Sequence, residues 1–222
     1  MDRREKLTTW LHYNMALVGG FFGAFAVMEF GTLANAHTTN LIKVALNLSD
    51  GNWQEMSLFL LCALTYFAAF ALATVLKKRE RGDLRYLAIA LDALALPAIA
   101  FFPGDLPAYM RIYPCVFATA FQWSQFSGAR GFNCSTIFNS NNYRQFSTSF
   151  AEVFLNHDDT FRPKMRLFGF TLLFYHIGAV YAYLVWKALS YQAIWFCLVP
   201  LGAAAAVLRL VQRAGPPASG TA

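Results

Sequence analysis

The chain has 222 residues, 57% of them hydrophobic and only 14% charged, which excludes an ordinary soluble domain. Several apolar runs reach the roughly 20 residues needed to cross a hydrocarbon core about 30 Å thick. The formal charge of +6 does not mark a nucleic-acid partner, because the basic residues sit between apolar runs rather than on one face.

The first residues, Met1-Asp-Arg-Arg-Glu-Lys6, are charged, and the run after them has no small-residue cleavage site, so no cleavable signal peptide is expected. Span 1 is predicted at 15–34. Its Gly19, Gly20, Gly23, Ala24 and Ala26 suit close helix packing in lipid. A polar, turn-prone motif follows, Gly31-Thr-Leu-Ala-Asn-Ala-His-Thr-Thr-Asn-Leu-Ile-Lys43. The short helix after it, 41–48, cannot span, and Thr39 or Asn40 is expected to cap it. Ser49-Asp-Gly-Asn52 reads as a turn, and Asn52 with Glu55 as a capping box.

Span 2 is predicted at 57–76, ending in Lys77-Lys-Arg-Glu-Arg81. Span 3 covers 84–102, with Asp92 at its centre and a kink at Pro97. Residues 103–107 read as a turn. Span 4, at 107–126, is the least hydrophobic and holds Arg111, Gln122, Ser124 and Gln125, so it should face protein or water. A second polar motif follows, Gly131 to Arg144, containing Asn139-Ser-Asn141. Residues 143–155 are expected to form an amphipathic interfacial helix. Asn156–Thr160 reads as a polar loop, and Pro163 as the start of span 5, predicted at 167–186 and containing His176. Span 6 covers 192–211, and 212–222 is a flexible tail.

The two halves echo each other. Ala24, Phe25 and Phe30 recur as Ala120, Phe121 and Phe126, with Glu29 opposite Gln125. Leu64, Tyr66, Ala73 and Lys78 align with Leu173, Tyr175, Ala182 and Lys187. With both termini cytoplasmic, fifteen of the 18 Lys and Arg residues fall on the inner side, as the positive-inside rule demands. The expected fold is therefore an all-α polytopic membrane protein with six transmembrane helices. They form two inverted three-helix repeats, 15–102 and 107–211, each with a broken or short helix after its first span.

At these residues the chain resembles the YoaK-like family of bacterial six-span membrane proteins, which has no settled function. That family carries a Thr-Gly-Asn signature in each half. Leu33-Ala-Asn-Ala-His-Thr-Thr-Asn40 looks like the first, Asn139-Ser-Asn141 stands in place of the second, and Gln122 looks like the family's span-4 glutamine. The signature glycine is Thr39 in one motif and Ser140 in the other, and the aspartate usual early in span 1 is Gly23. The resemblance covers about 19–211 and implies a bacterial inner-membrane location and transport.

The chemistry on offer suits binding rather than catalysis. Asn35, His37, Thr38, Thr39, Asn40, Asn139, Ser140 and Asn141 are neutral donors and acceptors that can replace water around a polar solute, with Gln122 beside them. Lys43 and Arg144 add positive charge one turn into each following helix, favouring an anionic or strongly polar ligand. The alternative is that these residues only cap broken helices. Glu29, Asp92 and His176 are the ionisable groups expected at membrane depth and the candidates for a coupling role.

The four cysteines form no Cys-x-x-Cys pair, and His157-Asp-Asp159 has no partner cluster, so no metal or cofactor is expected. The chain lacks a phosphate-binding loop, which argues against ATP-driven pumping by this chain alone, and a nucleophile elbow, which argues against hydrolysis. An intramembrane enzyme acting on lipid is disfavoured because no catalytic pair is recognisable. The leading expectation is a secondary transporter or facilitator of a small polar or anionic solute. The alternative is a non-transporting scaffold or subunit of a membrane complex. Partners are the lipid bilayer, the solute, and a homodimer or complex mate.

Overall fold

The computed structural model describes residues 2–31, 37–79, 82–102 and 108–215. Asn35, the expected turn at 103–107 and the tail beyond 215 lie outside the described residues.

Helix α1, Arg3–Phe30, begins twelve residues before the apolar run, because Asp2 caps it by accepting from the Glu5 backbone N–H at 2.6 Å. It ends at Gly31, whose left-handed conformation (φ 62°) returns its N–H to the Val27 carbonyl, a stop that glycine alone adopts without strain. Helix α2, His37–Ser49, starts four residues earlier than the sequence suggests. Thr39 and Asn40 are therefore inside its first turn and do not cap it. After the expected turn, α3 runs over Trp53–Arg79, and Asn52 Oδ1 accepts from the Glu55 N–H at 3.4 Å.

Helix α4, Arg85–Ala100, carries Pro97 internally. The predicted fourth span is divided into α5, Ala108–Arg111, and α6, Tyr113–Gln125. Fourteen residues of non-helical chain then lead to α7, Ser140–Phe154. They include a two-stranded hairpin, β1 (Gly128–Ala129) and β2 (Phe132–Asn133), which the sequence reading missed. A 3-10 turn at Asp159–Phe161 precedes α8, Arg162–Leu189, with Pro163 in its first turn as expected. Ser190 takes a positive φ of 49°. A 3-10 stretch, Ser190–Cys197, then passes into α9, Leu198–Arg213. The chain doubles back there, since the Tyr181 hydroxyl donates to the Phe196 carbonyl at 3.2 Å.

Helix α1 lies at the heart of the bundle, packed on α8 and α9. It runs parallel to α8, pairing Trp10 with Phe174, Phe21 with Tyr181, and Glu29 with Trp186. The two backbones touch: a Cβ on Gly20 would meet the Tyr175 carbonyl oxygen at 1.9 Å, and one on Gly178 the Leu17 oxygen at 2.0 Å. Helix α6 packs on α3 and α4 and is parallel to α3, with the Tyr113 hydroxyl on the Leu58 carbonyl and Trp123 against Phe70. Helices α4 and α9 are antiparallel, joined by Tyr86 and Gln212 at one end and Phe101 and Trp195 at the other. Helix α2 lies on α3, and α7 on α8.

Three helical segments among the described residues are long and apolar enough to cross a membrane: Arg3–Phe30, Trp53–Arg79 and Asp159–Arg213. The outer surface agrees. Leu173, Ile177, Val180 and Leu184 form an exposed stripe on α8, and Leu60, Leu64 and Phe67 another on α3. Contiguous exposed apolar stripes are unusual on water-facing surfaces and natural against lipid tails.

Candidate functional site

The non-helical chain between α6 and α7 is buried where it matters. Cys134, Ser135, Thr136 and Ile137 are each at most 5% exposed. Non-helical backbone at depth needs partners for its amides, and Asn142 on α7 supplies them. Its Oδ1 accepts from the Ser135 N–H at 3.0 Å, while its Nδ2 donates to the Ser135 carbonyl at 2.6 Å. Gln122 on α6 holds the same segment from the other side. Its Nε2 donates to the Thr136 hydroxyl at 3.0 Å and to the Met15 carbonyl on α1 at 3.1 Å. Gly19 completes the seat, because a Cβ there would lie 2.0 Å from the Thr136 carbonyl oxygen.

Beside this segment opens a cleft of about 460 Å³, within the size range of small-molecule sites. Phe70 of α3 and Trp123 and Phe138 give it aromatic walls. Ser124, Ser127, Asn133, Ser135 and Asn141 give it neutral hydrogen-bonding groups. Trp123 meets Phe138 edge-on at 4.6 Å and Phe70 at 5.3 Å. Phe70 in turn meets Tyr66 at 5.1 Å, and Tyr66 stacks flat on His37 at 4.5 Å. A file of rings thus connects the first polar motif, at the start of α2, with the second, at the start of α7.

The predicted site residues divide accordingly. Asn141 lines the cleft, and its Oδ1 accepts from Arg144 at 3.1 Å. Asn139 is half-buried, and its Oδ1 has no partner among the described residues, whereas Ser140 and Arg144 are exposed. In the first motif His37 joins the ring file and Asn40 is buried, donating to the Cys62 sulfur at 3.3 Å. Thr38 and Thr39 face outward. Lys43 lies over the Phe59 ring at 4.8 Å, away from the cleft. Gln122 is a clasp between α1 and the buried segment.

Of the three coupling candidates, Asp92 is fully buried, and neither carboxylate oxygen has a partner among the described residues. It sits close to the thiols of Cys115 on α6 and Cys197 before α9. Glu29 accepts from the Trp186 indole N–H. His176 is on the outer surface, bonded to the Leu172 carbonyl of its own helix at 2.7 Å.

Sequence reasoning missed Asn142, Thr136, Trp123 and His12. His12 is 2% exposed, and neither ring nitrogen is partnered among the described residues. It shares a face of α1 with Glu5, which meets Arg130, and with Gly19, which seats Thr136. That face is turned toward the hairpin and the buried segment. The signal for Gln122 was its amide in an apolar helix; nothing comparable distinguished Asn142 from Asn139 and Asn141.

Fold and site together define an all-α protein with the apolar helices of a membrane protein, folded around a buried non-helical segment beside a polar–aromatic cleft. The chain belongs to the family described as a protein of unknown function (DUF1275), which matches residues 11–207. Neither the curated proteins nor the solved structures contain a match to it.

Proposed function

We propose that the protein is a secondary transporter or facilitator of a small polar or anionic solute, with the cleft at Trp123, Phe138 and Asn141 as its binding site. The observation that carries this reading is the cleft itself, formed where helix gives way to buried irregular backbone. Transporters place their sites at such interruptions, near the midplane between repeats.

The six-span inverted repeat belongs to the same proposal. Exchange α1 with α6, α2 with α7, α3 with α8 and α4 with α9. The packing of α1 on α8 then becomes that of α6 on α3, both parallel. Likewise α1 on α9 becomes α6 on α4, α2 on α3 becomes α7 on α8, and α4 on α9 maps onto itself. This correspondence supports two related halves. Basic residues at the start of α1, the end of α3, the start of α8 and the end of α9 support cytoplasmic termini in a bacterial inner membrane. Asp92 is the coupling candidate, because a fully buried carboxyl with no partner among the described residues marks a functional position at membrane depth.

A thermal-shift screen of small solutes on purified protein tests the site. A ligand that binds only the native state raises Tm. One solute class should stabilise the wild type but not folded Trp123→Ala or Asn141→Ala. If no solute shifts the wild type, the cleft is not a ligand site, and the scaffold alternative, with the exposed face of α7 as docking surface, takes precedence.

A further inference from the structure

A second depression lies between the first turns of α1 and α8, at the end of the bundle where charged residues collect. It is a groove of about 180 Å³. Lys6, Arg130 and Arg166 stand around it, and Trp10, Tyr13 and Phe170 form its apolar floor. The floor is one ring cluster: Tyr13 packs against Phe170 at 5.7 Å and meets Trp10 edge-on at 5.9 Å.

Arg130 is placed there by the hairpin. Arg130 and Gly131 are the two turn residues between Ala129 and Phe132, with φ of 55° and 77°. A two-residue turn with both φ positive matches the strand twist, and asparagine or aspartate is usual at its first position. An arginine held in the left-handed region is an unfavourable choice there, and such choices concentrate at functional sites. Glu5 lies 3.7 Å from its Nε and steers it without neutralising the groove. Lys6 and Arg166 make no ion pair among the described residues, so two cations of the groove stay uncompensated. The adjoining depression is mixed in charge, lined by Arg4, Arg85 and Arg130 with Asp2 and Glu5.

We infer that this groove binds one anionic phospholipid. The phosphate sits among Lys6, Arg130 and Arg166, and an acyl chain runs outward over Trp10 and Phe170. The apolar floor selects lipid over a free anion. Trp10 is 56% and Phe170 46% exposed on the outer surface, level with cations that belong at the headgroup layer, where tryptophan also collects. Basic pockets between membrane helices take anionic headgroups in this way.

The test compares Tm of the detergent-purified protein after addition of phosphatidylglycerol, phosphatidylcholine or inorganic phosphate. Phosphatidylglycerol should raise Tm, and the other two should not. Arg166→Gln and Lys6→Gln remove cations that support no ion pair among the described residues, so both should keep the lipid-free Tm. Each should weaken phosphatidylglycerol binding roughly fivefold, about the contribution of one cation near a lipid surface. Arg162→Gln, an exposed cation paired with Asp159 outside the groove, should keep the full lipid response. Equal shifts from both lipids would overturn the inference. So would a phosphate shift as large as the phosphatidylglycerol shift, or an undiminished response in both groove variants.

Discussion

Asn142 closes the chain on Ser135: one side-chain amide pairs with both the N–H and the carbonyl of a buried residue, at 3.0 and 2.6 Å. This is the pairing a neighbouring strand would give, delivered by a helix. It allows irregular backbone to lie inside the bundle and leaves the cleft beside it open. Asn142→Ala strands two buried backbone groups, each worth about 1–3 kcal/mol. The variant should lose roughly 2–4 kcal/mol of stability, read as a lower Tm in detergent. Asn142→Leu, close in size but without hydrogen-bonding groups, should not restore it.

The crossing of α1 and α8 predicts a sharp contrast among glycines. Gly20→Ala and Gly178→Ala force backbones apart that now touch, a change that destabilises by roughly 1–3 kcal/mol. A Cβ on Gly202 would meet nothing within 4 Å, so Gly202→Ala should leave Tm unchanged or slightly higher. Equal losses at all three positions would contradict the close crossing.

Asp92 should matter to pH response more than to folding. Asp92→Asn keeps the shape and removes the titrating group, so stability should change by no more than about 1 kcal/mol. Uptake measured across pH should lose its pH dependence. An unaltered pH profile would remove Asp92 from the coupling role.

At the surface, Asp83 links α4 to α9. Its carboxylate accepts from the Arg85 guanidinium, at 2.8 Å from Nε and 2.6 Å from Nη2, and from the Arg85 backbone N–H at 3.1 Å, and it lies 3.5 Å from the Gln212 amide. Partial burial raises its carboxyl, but Arg85's hydrogen bonds and charge outweigh this and bring it below the ordinary range. A lowered folded-state value means the contribution is complete above the unfolded value, about 3.9, and is lost as pH falls through the folded one. Asp83→Asn should therefore lower Tm at neutral pH, and the difference should vanish in strong acid.

Legibility in the sequence followed the reach of the interactions. Helices α3 and α8 were plain because their apolar runs are long, and the Asn52 cap and Pro163 start are local signals that the structure reproduces. The early start of α2 was not legible, since it depends on His37 stacking on Tyr66 and Asn40 reaching Cys62, partners some twenty residues away or more. The hairpin was hidden because its turn opens on Arg130 rather than on a usual turn residue. The second motif was located, yet its organiser was not. Asn139, Asn141 and Asn142 look alike in sequence, and only the fold decides that Asn142 turns inward while Asn141 lines the cleft.

The most direct test of the transport reading is uptake by purified protein in sealed liposomes, across a panel of small polar and anionic solutes, with Trp123→Ala alongside. The reading predicts accumulation of one solute class by the wild type and its loss in the folded variant. No uptake of any solute by demonstrably folded wild type, or undiminished uptake by Trp123→Ala, would contradict it.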